Sequence, residues 1–97
     1  MDKTKFLFPD VNECRTTSDG AQQYVPCIFP FRHGRNGILY HGCTTFGNKE
    51  GDERSWCSTK VDSRGIHINN QGFWGICADD CPKDLEGTKD IGFKISK

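Results

Sequence analysis

Aliphatic side chains are scarce in this chain. Of its 97 residues 34% are hydrophobic, and there is a single Met. A single domain of this length buries a low fraction of its surface, so such a core is marginal alone. No apolar run is long enough for a helical membrane span. Neither sign of charge is in excess: 13 basic and 13 acidic residues cancel. That gives no basis for a nucleic-acid or anionic-membrane partner. Catalytic signatures are missing as well. There is no Gly-x-Ser-x-Gly, no His-Glu-x-x-His and no phosphate-binding loop. His33, His41 and His67 have no evident nucleophile partner and no metal-ligand spacing. Cys77 and Cys81 form the only close Cys pair, and no second pair completes a zinc site. No enzyme activity, cofactor or metal is therefore expected. There is no glycosylation sequon, no repeat and no helical period.

Six Cys are what the chain has instead. An even number at this density in a short chain reads as a disulfide framework made in an oxidising compartment. The expected location is extracellular, by secretion. The apolar stretch Phe6-Leu7-Phe8 is too short for a signal peptide, so a secreted form has had its signal removed. Each bridge contributes about 2–4 kcal/mol in the chain-entropy model. Three together rival the net stability of a typical domain, about 5–15 kcal/mol.

Residues 1–13 read as an N-terminal tail, 14–81 as the domain and 82–97 as a C-terminal tail, linker or added edge strand. Between Cys14 and Cys27, Asp19-Gly20 predicts a tight turn with positive φ and a short hairpin. Asn36-Gly37 predicts a second hairpin, with Ile38-Leu39-Tyr40 as one arm. Residues 44–55 carry Gly47, Asn48, Gly51 and five charges, and read as an exposed loop. Ser55–Thr59 and Phe73–Cys77 are candidate strands. Between them Val61–Gly72 reads as a second long loop.

The segment 27–77 holds both Trp, four of the seven Phe and four of the six Cys, so aromatics crowd the cysteines. Its landmarks are Cys27-x-x-Pro30-Phe31, Cys43, Trp56-Cys57 and Trp74-x-Ile76-Cys77. This pattern resembles the fibronectin type II domain, whose fold is similar to the kringle. The resemblance implies a small, disulfide-rich, all-β fold of short antiparallel hairpins and long loops. It implies bridges Cys27–Cys57 and Cys43–Cys77, which leaves Cys14 and Cys81 to each other in the nested order of kringles. Two positions depart from the family pattern. His33 stands where an aromatic or branched apolar residue is expected, and Ser63 follows Asp62 where an aromatic is expected. A shallower pocket with weak gelatin or choline binding is the consequence.

In that family, rings line an apolar pocket for gelatin strands or choline head groups, chemistry that aromatic faces suit. The corresponding residues here are Tyr40, Trp56, Phe73 and Trp74. Phe31 reads as core, and each Trp reads equally well as core or pocket wall. The implied bridges bring Trp56 and Trp74 onto one wall with Tyr40 nearby. Glu50 and Asp52 resemble the paired acids of lysine-binding kringles, although Arg54 is placed to neutralise them. The reading is an extracellular, non-enzymatic recognition module for an extended, collagen-like protein segment or a choline-type group, monomeric or one module of a larger protein. The alternatives are a free-standing secreted effector or inhibitor acting through loops 44–55 and 60–72, a lysine-binding module of a secreted protease, or a spacer without a ligand.

Overall fold

A computed structural model of the chain describes residues 14–89. The apolar group at Ile91–Ile95 and the tail before Cys14 lie outside the described residues. Four short strands are present: β1 (Phe31–Arg32), β2 (Leu39–Tyr40), β3 (Trp56–Ser58) and β4 (Trp74–Ile76). They form two antiparallel pairs, β1 with β2 and β3 with β4. There is no helix among the described residues, and none is therefore long and apolar enough to cross a membrane.

The turns follow from glycine. Gly37 takes φ 72°, a region that costs other residues a Cβ clash, and it closes the hairpin between β1 and β2. The Asn36 carboxamide oxygen accepts the Ile38 N–H at 2.9 Å, completing the Asx-type turn. Gly20 adopts φ 94° at the tip of the segment between Cys14 and Cys27. That segment pairs its ends through Thr16 N–H to Val25 O at 2.9 Å and Cys27 N–H to Cys14 O at 2.7 Å. Its tip lies along β4, with Thr17 N–H on Ile76 O at 2.7 Å and Gln22 N–H on Trp74 O at 2.9 Å.

The bridges are Cys14–Cys81, Cys27–Cys57 and Cys43–Cys77, the nested order that the resemblance implies. Their sulfurs pack together: those of Cys14, Cys27, Cys43, Cys77 and Cys81 all lie within 4.8 Å of one another. Every one is spent in a bridge, so the cluster is a covalent core and has no thiolate to offer a metal. Phe31 is fully buried beside it, with Tyr40, Trp56 and Ile76 completing the core. Rings supply the area that aliphatics cannot.

Two loops are less exposed than their composition predicts. In 44–55, Thr44 and Ser55 are buried and Phe46 is half-buried. Thr44 pairs with Trp56 through both backbone bonds, at 3.0 and 2.8 Å, on the edge of β3 away from β4. In 61–72, Ile66 and His67 bridge to Arg32 and Val61. Residues 83–88 also run along the domain. Thr88 and Leu39 exchange two backbone hydrogen bonds at 3.1 and 2.8 Å, and the Asp84 carboxylate accepts the His41 N–H at 3.0 Å.

Candidate binding groove

The pairing of β3 with β4 decides which side chains meet. Trp56 is opposite Ile76, Cys57 opposite Gly75 and Ser58 opposite Trp74. Side chains alternate between faces along a strand. Trp56, Ser58, Trp74 and Ile76 therefore share one face, with the two tryptophans as diagonal neighbours. Cys57 and Gly75 occupy the other face, toward the sulfur cluster and the 14–27 segment. A Cβ at Gly75 would strike the Gln22 carbonyl oxygen and the Thr16 side chain, so the close approach of that segment requires glycine.

On the tryptophan face an open groove of about 520 Å³ is bounded by β3, β4, the turn after β1 and the two long loops. Its volume lies in the range of ligand pockets, about 300–1,000 Å³. Trp56, only 7% exposed, forms the floor. Its ring lies 5.3 Å from Phe31, 5.1 Å from His67 and 5.9 Å from His33. The indole N–H donates to the Phe46 carbonyl at 2.9 Å, tying loop 44–55 to the floor. Phe46 meets His33 edge-on at 4.8 Å, and the Arg35 guanidinium lies 5.5 Å from the Phe46 centroid. Trp74, 36% exposed, is the rim.

The two histidines are neutral, and their tautomers follow from their partners. His33 Nδ1 accepts the Arg35 N–H at 3.2 Å, so its proton is on Nε2. Ser58 donates its one hydroxyl proton to the Lys60 carbonyl at 3.0 Å. The 2.7 Å contact of Ser58 Oγ with His67 Nδ1 is then donated by the imidazole, which leaves Nε2 of His67 as an acceptor. Burial lowers both pKa values. Arg35 lowers that of His33 further, and His33 helps bring His67 to about 4. Floor and wall thus combine apolar rings with one imidazole donor and one acceptor.

The charged rim comes from loop 44–55 and the turn after β1. Asp52 accepts two bonds from the Arg54 guanidinium, Nε and Nη2 each at 3.0 Å, and the Arg54 N–H at 3.1 Å. These bonds hold its carboxyl down at about 2. Asn48 donates to the carbonyls of Asp52 and Arg54 at 3.0 and 2.7 Å, which shapes the loop from within.

Of the residues expected at a site, Trp56, Trp74 and Asp52 line this groove. Tyr40 does not. It is 2% exposed, its ring lies 5.6 Å from Phe31, and its hydroxyl accepts a bond from Asn36 at 2.9 Å. Gly87 presses so closely on it that a Cβ there would sit 2.8 Å from the Tyr40 ring. Phe73 is half-buried under the Lys60 ammonium, 5.2 Å from its centroid, and Glu50 is exposed on the loop without lining the groove. Sequence reasoning missed Phe46, His67 and Arg35. His33, at an expected aromatic position, was the one available signal.

The model of the fibronectin type II domain family matches residues 27–77, just over half of the chain. The chain belongs to the fibronectin type II domain family. Type II domains are protein-binding modules without a catalytic role. No solved structure matches the chain. The matched segment runs from Cys27 to Cys77, so it spans both inner bridges and every residue that lines the groove. The Cys14–Cys81 bridge lies outside it and ties the 14–27 segment to residues 78–82.

Proposed function

We propose that this type II domain is an extracellular, non-enzymatic module that takes an extended protein segment into the groove over Trp56, against the rim ring of Trp74. One observation carries the reading: Trp74, with Tyr24 one of two exposed rings among the described residues, stands at the edge of an open, ring-floored groove that Tyr24 does not line. An open trough suits a chain that passes through. A rim aromatic supplies contact area at low entropic cost, as at interface hot spots. Three bridges suit an oxidising, extracellular setting.

A choline-type group fits less well. Aromatic cages hold a quaternary ammonium against two or three free ring faces. Here Trp56 is packed by Phe31, His33 and His67, and Arg35 covers Phe46. Of the rings that line the groove, Trp74 alone is exposed. A lysine ligand has no better support, because Arg54 already engages the Asp52 carboxylate and Glu50 is off the groove. Loops 44–55 and 60–72, the contact surfaces of the effector alternative, are walls of this same groove.

Immobilised gelatin tests the proposal, with phosphorylcholine as competitor. The protein is expected to be retained, phosphorylcholine is expected not to elute it, and Trp74→Ala should weaken binding by about 2 kcal/mol. Elution by phosphorylcholine points to a cation cage instead. Retention unchanged in Trp74→Ala removes the groove from the account.

A further inference from the structure

The groove is electrically lopsided in a chain whose net charge is zero. Three cations line it, Arg35, Lys49 and Arg54, against the single carboxylate of Asp52. Asp52 and Arg54 satisfy each other in a two-point ion pair, and Asp19 acts on Arg54 as well. Glu50 and Glu53 on the same loop are exposed and do not line the groove. Arg35 and Lys49 are left: Lys49 acts on Asp52 only from beyond ion-pair distance, and neither cation has a carboxylate within 4 Å among the described residues. Both histidines that line the groove are neutral, so they add no charge at neutral pH.

The two cations are held in place by their own turns. The Arg35 N–H is fixed on His33 Nδ1, and Gly37 N–H returns to the His33 carbonyl at 2.8 Å. This sets Arg35 at the tip of the β1–β2 turn with its guanidinium over Phe46. Over a ring, a guanidinium can still offer its N–H fork to a planar, two-oxygen acceptor. Lys49 sits in a turn closed by Asp52 N–H on the Lys49 carbonyl at 3.0 Å.

We propose that the groove selects a protein segment in which a carboxylate adjoins the apolar residue that rests on Trp74, with Arg35 and Lys49 receiving the carboxylate. The inference deepens the recognition role proposed above and rests on it. It also sets a direction of discrimination: a segment carrying Lys or Arg at that place meets two positive charges and is rejected.

The test uses the full 97-residue chain with two probes, native gelatin and gelatin whose carboxyl groups have been methyl-esterified. Native gelatin should bind at least about tenfold more tightly than the ester at low ionic strength, and salt should narrow the difference. Arg35→Gln combined with Lys49→Gln should bring the two probes to equal affinity while leaving the thermal midpoint in place, since both side chains are exposed or on exposed turns. Equal binding of both probes by the unmodified protein, with Trp74→Ala still weakening it, overturns the carboxylate selection and leaves the groove reading standing. Binding of neither probe overturns both.

Discussion

Acid should destabilise this domain before the lowered carboxyls of Asp52 and Asp62 begin to titrate, and His67 should be the main cause. The ring is 7% exposed, neutral, and bonded through Nδ1 to Ser58. Its pKa is about 4 in the fold, lowered by burial and by His33, against 6.5 for an unperturbed imidazole. Between those two values only the unfolded chain takes up the proton. The stability that neutral His67 represents is complete above pH 6.5 and is lost as the pH falls toward 4. From pH 7.5 to 4.5 the loss is about 2 kcal/mol, after allowing for the ring's partial contact with solvent in the groove. In urea this moves the unfolding midpoint down by roughly 1–2 M for a domain of this size. The lowered His33 adds to the same slope. Asp52 and Asp62, both held below 3.8 by their arginine and backbone donors, withdraw their contribution only at lower pH. The assay is urea unfolding followed by Trp emission at both pH values, in the parent and in His67→Gln, which can still donate to Ser58 but cannot titrate. The variant should lose most of the shift. A parent midpoint that does not move, or a variant that moves as far, refutes the buried neutral imidazole.

Other outcomes separate core from rim. Trp56→Ala removes the floor ring and orphans the Phe46 carbonyl, and should cost about 3–5 kcal/mol by thermal unfolding, more than Trp74→Ala costs. Gly75→Ala forces a Cβ into Gln22 and Thr16 and should destabilise by about 1–3 kcal/mol; a neutral result contradicts the close strand approach. Replacing Cys14 and Cys81 together by Ser opens a loop of sequence separation 67 and should cost about 4 kcal/mol in the chain-entropy model, with both inner bridges still found by non-reducing peptide mapping.

Local chemistry made much of this fold legible. Asn36-Gly37 and Asp19-Gly20 announce turns that the backbone does adopt, because few other residue pairs tolerate that geometry. The aromatic and cysteine landmarks point to the bridge order and to the neighbourhood of the two tryptophans. What stayed hidden depends on partners distant in sequence. Loop 44–55 is polar enough to read as solvated, yet Thr44 is drawn in by pairing with Trp56, and Phe46 by the indole N–H. His67 lies in a stretch without any period, and only the Ser58 hydroxyl and the Trp56 ring give it a place. Tyr40 looks like a pocket aromatic from its spacing to Cys43. Asn36 satisfies its hydroxyl and Gly87 lies against its ring, which makes it core. The ion pair of Asp52 with Arg54 was visible as a possibility, whereas the imbalance that Arg35 and Lys49 leave in the groove required the loops to be folded.

The central claim is that a protein segment occupies the groove over Trp56. Its most direct test is a two-dimensional NMR titration of the labelled domain with a soluble gelatin fragment. The expected result is a set of concentration-dependent shifts in the Trp74 and Trp56 indole N–H signals, the His33 and His67 ring signals and the backbone of residues 46–49, while residues 83–88 and residues 14–18 stay still. Shifts confined to those distal segments, or none at saturating fragment, would contradict it.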